Sequence, residues 1–279
     1  MVGNLPSALL QCEKAMKSAF LILLVATTAA LGLEPPPPTM PSQAKFVDKV
    51  IVPVPSEVFA VLDKLGRPKW AGLINRDLSN AKPTGESPQI ALTLGTIIAE
   101  GFIAVEAEDA EEVKDLGRAI LTFSNALGVR KAVVRRANSI IESADKKQWV
   151  RVRTELDGAL TDVRDAMVEL NSESLANLVS IGGWLRGTEA LCAVVGSDFD
   201  RDGAELLRQP FLIDHFTTQL DALRGRQKTH PLIGQVRKGI SDLKPIAAPP
   251  DNSRISQKSV KDAGAIARGL VGAIQRKSN

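Results

Sequence analysis

The chain has 279 residues, 44% hydrophobic and 24% charged, with 35 basic against 32 acidic side chains and a formal charge of +3. Those are globular proportions, and with no dense basic block the sequence lacks the electrostatic footprint of a nucleic-acid binder. Aromatics are 4% and Tyr is absent, so the core has to be built from Leu, Ile, Val and Ala, which suits packed helices better than sheets.

Met16-Lys17 precede an apolar stretch of roughly a dozen residues, Phe20 to Leu31, with small residues after it, the pattern of a secretory signal. Ala30 and Gly32 are small where a signal peptidase reads. The stretch is shorter than the roughly 20 residues that span a bilayer, so a cleaved signal is expected over an uncleaved anchor, and export to a periplasm or outside the cell follows. Residues 1–32 therefore read as the signal with an upstream extension, Met16 being an alternative start. No Cys stands near the cleavage site to take a lipid. Cleavage removes Cys12 and leaves Cys192, so no intrachain disulfide forms even in an oxidising compartment. Cys192 sits in the apolar run Leu191-Cys-Ala-Val-Val195 and reads as a buried, inert thiol.

Residues 33–55 form a Pro-rich spacer, with Pro35 to Pro38, Pro41, Pro53 and Pro55. Ser56 can cap a short helix to Leu65, and the run from Asn75 to Pro88 reads as a loop. Gln89–Glu108 is apolar nearly all round and predicts a central buried helix. Asp109 caps the next helix with Glu112 as capping-box partner, and Gly128 ends it in a left-handed turn. Val129–Ala144 and Lys146–Leu170 continue as amphipathic helices, and Asn171-Ser172 marks a stop and a new cap. Glu173–Val195 is again apolar on most sides. Short helical pieces over Ala204–Arg208, Pro210–Leu223 and Pro231–Leu243 follow, and residues 56–243 make one helical domain. Residues 244–255 form a second Pro-containing linker, and 256–276 a C-terminal amphipathic helix with basic ends. The apolar side of that helix is mostly Ala, which favours docking on the body over lying on anionic lipid. No alternation is strong enough for a sheet. The expected fold is all-α: a compact bundle of about eight helices with two mostly apolar central helices. The runs Leu94–Gly101 and Ile181–Gly187 are alike in style and hint at a duplicated half.

Few residues point to chemistry. Glu100 lies inside Ile97-Ile-Ala-Glu-Gly-Phe-Ile103, where a charge is costly unless paired, and Arg186 holds the comparable place in the other apolar helix. The two make a candidate buried ion pair; a general acid with a raised pKa is the functional alternative and would make the protein a hydrolase. Gly183 and Gly187 stand four apart, a spacing that lets a second helix approach closely, and Gly95 and Gly101 can serve the same end. No phosphate loop, nucleophile elbow or paired histidines occur; His215 and His230 read as surface residues.

The run Ser-Asp-Phe-Asp-Arg-Asp-Gly over 197–203 resembles the first half of an EF-hand calcium loop, with Asp198, Asp200 and Asp202 at alternate positions and Gly203 after them. Gln209 stands where the bidentate Glu belongs, and Pro210 follows at once. A helix-capping turn is therefore the first reading and a weak calcium site the second. Otherwise no cofactor is expected.

Three functional readings follow. The first is a soluble, exported, non-catalytic protein that binds a protein partner or serves as an envelope structural component, with no nucleic acid and no membrane contact expected after signal cleavage. The second is a bundle holding an apolar small molecule between its central helices, where glycines make room. The third is a weak calcium-binding helical protein.

Overall fold

A computed structural model gives the fold, describing residues 45–47, 50–52, 59, 69–249 and 253–276. The signal and its extension, Cys12, most of the spacer and most of the helix expected over 56–65 lie outside these residues; Phe59 is the part of that helix described. The described residues belong to a single compact unit.

The fold is all-α. One short departure lies at the end of the spacer, where β1 (Lys45–Val47) pairs antiparallel with β2 (Val50–Val52), Lys45 opposite Val52 and Val47 opposite Val50. β2 is Val-Ile-Val and β1 ends in Phe46-Val47, β-branched and aromatic residues that suit an extended ribbon better than the polyproline conformation expected there. The loop expected from Asn75 to Pro88 also contains structure. A 3-10 turn covers Trp70–Leu73, and α1 (Arg76–Ser79) follows with Asn75 as its cap, the side chain accepting from the Asp77 N–H.

The centre is α2 (Ser87–Glu106), with Pro88 in its first turn and every residue from Pro88 to Val105 buried. A helix that is apolar all round has to be covered all round. The chain does this by wrapping. After α2 come α3 (Ala110–Ala126), α4 (Arg130–Asp145) and α5 (Trp149–Glu169), each packed on its predecessor, and α5 returns to α2. Asp109 caps α3 by accepting from the Glu112 N–H. Glu112 does not complete the capping box, because its carboxylate turns to Arg76 at 2.7 Å. Left-handed residues at Gly128, Lys147 and Asn171 end α3, α4 and α5 in turn. Ser172 makes no side-chain cap bond, unlike the cap expected there; its hydroxyl turns back to the Leu170 carbonyl.

The second central helix, α6 (Glu173–Ser197), packs against α2 more extensively than any other pair of elements. Both are long and apolar enough to cross a membrane by length and composition, but the apolar window of α2 is wholly buried inside the protein and most of that of α6 is too. A core helix passes the same test as a spanning one.

Beyond α6 the chain makes α7 (Arg201–Ala204), a 3-10 turn (Glu205–Leu207), α8 (Pro210–Ala222), α9 (Gly225–Thr229) and α10 (Pro231–Ala247). Helix α10 runs through Pro245, past the Leu243 end expected from sequence. A proline that near a helix end removes one bond of the last turn, and burial of Ala247 on the core offsets it. The His230 ring caps α10, its Nδ1 accepting from the Leu232 N–H at 3.2 Å. Finally α11 (Gln257–Gln275), capped by Ser256, lies on α6 and α10. Its apolar side, including Val260, Ala263, Ala267, Val271 and Ile274, is buried on the body.

Candidate functional site

Helices α2 and α6 cross backbone to backbone. A Cβ added at Gly95 would lie 1.9 Å from the Val179 carbonyl oxygen, and one added at Gly182 would lie 2.0 Å from that of Leu92. Gly183 is next to this contact, 3.3 Å from the Gly95 carbonyl oxygen on the same measure. Sequence spacing pairs Gly183 with Gly187 as the packing face. The structure corrects half of that: a Cβ at Gly187 would meet nothing within 4 Å among the described residues, so none of their helices approaches there. Crossing helices diverge away from their contact point, and Gly187 lies one turn beyond it. Gly182 takes the place expected of Gly187. A four-residue count cannot find it, because the crossing point is set by both helices together.

The space that opens beyond the crossing is a pocket. Helix α2 supplies Gly95, Ile98 and Ala99 to its wall, and α6 supplies Val179, Gly183, Trp184, Gly187 and Leu191. Leu160 and Arg164 of α5, Leu212 and Phe216 of α8, and Phe59 close the other sides. The cavity has a volume of about 100 Å³. Apolar cavities of about 150 Å³ take up benzene, so this one is of a size to hold a small apolar molecule. The aromatic walls are fixed: Trp184 and Phe216 have ring centroids 5.3 Å apart, and Phe59 stacks on Phe102 at 5.7 Å. The Trp184 Nε1–H donates to Gln209 Oε1 at 2.8 Å, and Gln209 Nε2 donates to the Leu206 carbonyl at 2.7 Å. That chain locks the indole and leaves its face to the pocket.

Glu100 and Arg186 meet across the same helix pair. Arg186 Nε donates to Glu100 Oε2 at 2.6 Å, with both side chains buried. The Asn75 backbone N–H donates to Glu100 Oε1 at 2.7 Å, and Arg186 Nη2 donates to the Leu73 carbonyl at 2.6 Å. Burial raises the Glu100 carboxyl above its ordinary value, although Arg186 and the Asn75 N–H pull it down. Glu100 does not line the pocket, and both of its oxygens are occupied. This is the geometry of a structural pair that also satisfies two backbone groups of the 70–79 segment, rather than that of an acid facing a substrate.

The aspartate turn is spent on structure. Asp200 caps α7, accepting from the Asp202 and Gly203 N–H groups. Asp202 faces Arg254 at 3.4 Å. Asp198 is the residue that ends α6. Among the described residues, no group of three His, Cys, Asp or Glu side chains is gathered to hold a metal ion. Next to the turn, Glu205 accepts from Arg208 Nε at 2.8 Å and from the Ile255 N–H at 2.9 Å, and Arg208 Nη2 donates to the Ser253 carbonyl at 2.7 Å. The turn thus pins the segment that leads into α11.

Cys192 is buried against α11, where a Cβ at Gly264 would come within 3.0 Å of the Cys192 Cβ. Burial, with the charge of Glu189 adding to it, pushes its thiol up to about 12. A thiol so protonated is a poor nucleophile. No family model matches the sequence, and neither curated proteins nor solved structures show significant similarity to the chain.

Proposed function

We propose that this chain is an exported, non-catalytic helical protein whose body binds a small apolar molecule in the pocket between α2, α5, α6 and α8. The observation that carries the reading is the cavity of about 100 Å³ beside the α2–α6 crossing, walled by Ile98, Leu191, Leu212 and Phe216 and floored by glycines. A void in a core forfeits dispersion contacts and costs stability, so one bordered by Gly187, whose missing side chain would fill open space, fits a site kept for a guest. Export rests on the apolar stretch from Phe20 to Leu31. The protein-partner reading draws on Phe211, an aromatic residue 80% exposed. Phe211 and the other exposed apolar side chains, Val150, Val168 and Leu170, support that reading less than a mostly apolar pocket supports binding of a small molecule.

Thermal unfolding in the presence of toluene tests the proposal. Ligand at ten times its Kd stabilises the folded state by about 1.4 kcal/mol, which raises Tm by about 3–6 °C for a domain of this size. The variant Gly187→Leu places a side chain in the space without meeting a neighbour at its Cβ. It should fold and lose the shift. An equal shift in both proteins, or none in the wild type, would contradict the reading.

A further inference from the structure

Thr188 behaves unlike the other helical threonines. Thr93, Thr122, Thr154, Thr217 and Thr218 each donate to the carbonyl four residues back, the usual way a helical threonine satisfies its hydroxyl. Among the described residues Thr188 makes no such bond and none to any other side chain or backbone group, although it is only 7% exposed and lines the pocket. The remaining uncharged polar groups of the lining are committed. Ser180 donates to the Ala176 carbonyl, and Trp184 and Gln209 satisfy each other and Leu206. Its hydroxyl has no internal partner and is open to the pocket, which is the place where a partner can be supplied.

Resting on the reading of the pocket as a binding site, we infer that its ligand is a neutral, mostly apolar molecule with one hydroxyl or carbonyl group, and that the Thr188 hydroxyl binds that group. The apolar walls take the body of the ligand. The polar group is set at the α6 side, where Thr188 stands one residue from Gly187 and one turn from Trp184. Apolar sites commonly fix orientation with very few polar contacts; Arg164, the charged residue of the lining, is engaged within the protein, and Thr188 offers a free hydroxyl. Thr188 also borders a smaller void of about 10 Å³ shared with Trp184 and Gln209. That void is at the lower limit for holding a single water, so it competes for the hydroxyl and enters the test.

The experiment compares phenol with toluene, near-isosteres that differ in the polar group, by calorimetric titration of the wild type, Thr188→Val and Thr188→Ser. Valine keeps the shape and removes the hydroxyl; serine keeps the hydroxyl. The expected result is that Thr188→Val weakens phenol about two- to twelve-fold, the range of one neutral hydrogen bond, while toluene binds as well as before or better. Thr188→Ser retains the wild-type ratio of phenol to toluene. Unchanged phenol binding in Thr188→Val would overturn the assignment of Thr188 and give its hydroxyl to the smaller void, while leaving the pocket reading intact. Failure of both probes to bind the wild type would overturn the pocket reading itself, and this inference with it.

Discussion

Gly182 and Gly187 lie in one helix, yet a methyl group has opposite consequences at the two positions. At Gly187 it enters open space, so Gly187→Ala should stabilise the protein by up to about 1 kcal/mol, the helix-propensity difference. At Gly182 or Gly95 it strikes the facing backbone, and Gly182→Ala or Gly95→Ala should cost about 3 kcal/mol or more because the central helices have to part. Urea denaturation of the three variants checks the order. Cys192 makes a second prediction at this scale. With its thiol pushed up to about 12 and buried, it should resist iodoacetamide in the native state at pH 8 and be alkylated readily once urea unfolds the chain, as peptide mapping would show. Rapid native alkylation would mean that α11 leaves its seat. At the residue scale much was legible in the sequence. Glu100 and Arg186 announce themselves as charges inside apolar runs, and the structure places them 2.6 Å apart. What was not legible is which glycine meets which backbone, since that depends on where two helices cross. Thr188 was not singled out either, because the absence of a hydrogen bond leaves no mark on a sequence.

Helices were legible as elements because their signals are local. Asp109, Pro210, Pro231 and Ser256 start α3, α8, α10 and α11 as their residue types dictate, and Gly128 ends α3 at φ +77°. Departures occur where tertiary contact overrides the local signal: α1 forms in a Gly- and Pro-rich run because the 70–79 segment is bonded to Glu100 and Arg186, and α10 continues through Pro245 because Ala247 is buried. The ion pair therefore acts on an element as well as on itself. Arg186→Met should cost about 3–5 kcal/mol, since it leaves a buried carboxylate unpaired and orphans the Leu73 carbonyl. Glu100→Gln should cost less, because Arg186 keeps Glu189 and the Leu73 carbonyl as acceptors and the single amide oxygen still serves one of the two donors that face Glu100. Equal losses, measured by urea denaturation, would mean that the backbone bonds to this segment contribute little. A pH dependence belongs to the next element boundary. Burial raises Glu205, but its bonds from Arg208 and the Ile255 N–H outweigh that and leave the carboxyl below its ordinary value. A carboxylate lowered on folding contributes stability that is present above its unfolded pKa and is lost as pH falls through the folded one. Amide exchange in α11 should accordingly quicken as pH falls through the acid range, after correction for the intrinsic rate, and Glu205→Gln should flatten that dependence. An unchanged profile in the variant would remove Glu205 as the group that pins the segment.

For the whole molecule, the all-α class follows from composition and periodicity, but the arrangement of the helices about the central pair does not. The wall of the pocket comes from α2, α5, α6, α8 and Phe59, residues far apart in the chain, so no local pattern encodes it. Glycines in the apolar helices were the one legible hint that room exists between them. The terminal helix illustrates the same limit, because its amphipathic pattern suits a membrane surface or a protein surface equally well, and only its seat on α6 and α10 shows where the apolar side is spent. The body of the protein holds a mostly apolar, ligand-sized cavity beside the α2–α6 crossing. Diffraction from a crystal pressurised with xenon tests it directly, because xenon enters apolar cavities of this kind. A strong xenon peak within contact of Ile98, Leu191 and Phe216 is expected in the wild type, and its loss in Gly187→Leu. A wild-type crystal with no xenon at that position, or with ordered water filling it, would show that the cavity is not an apolar binding site.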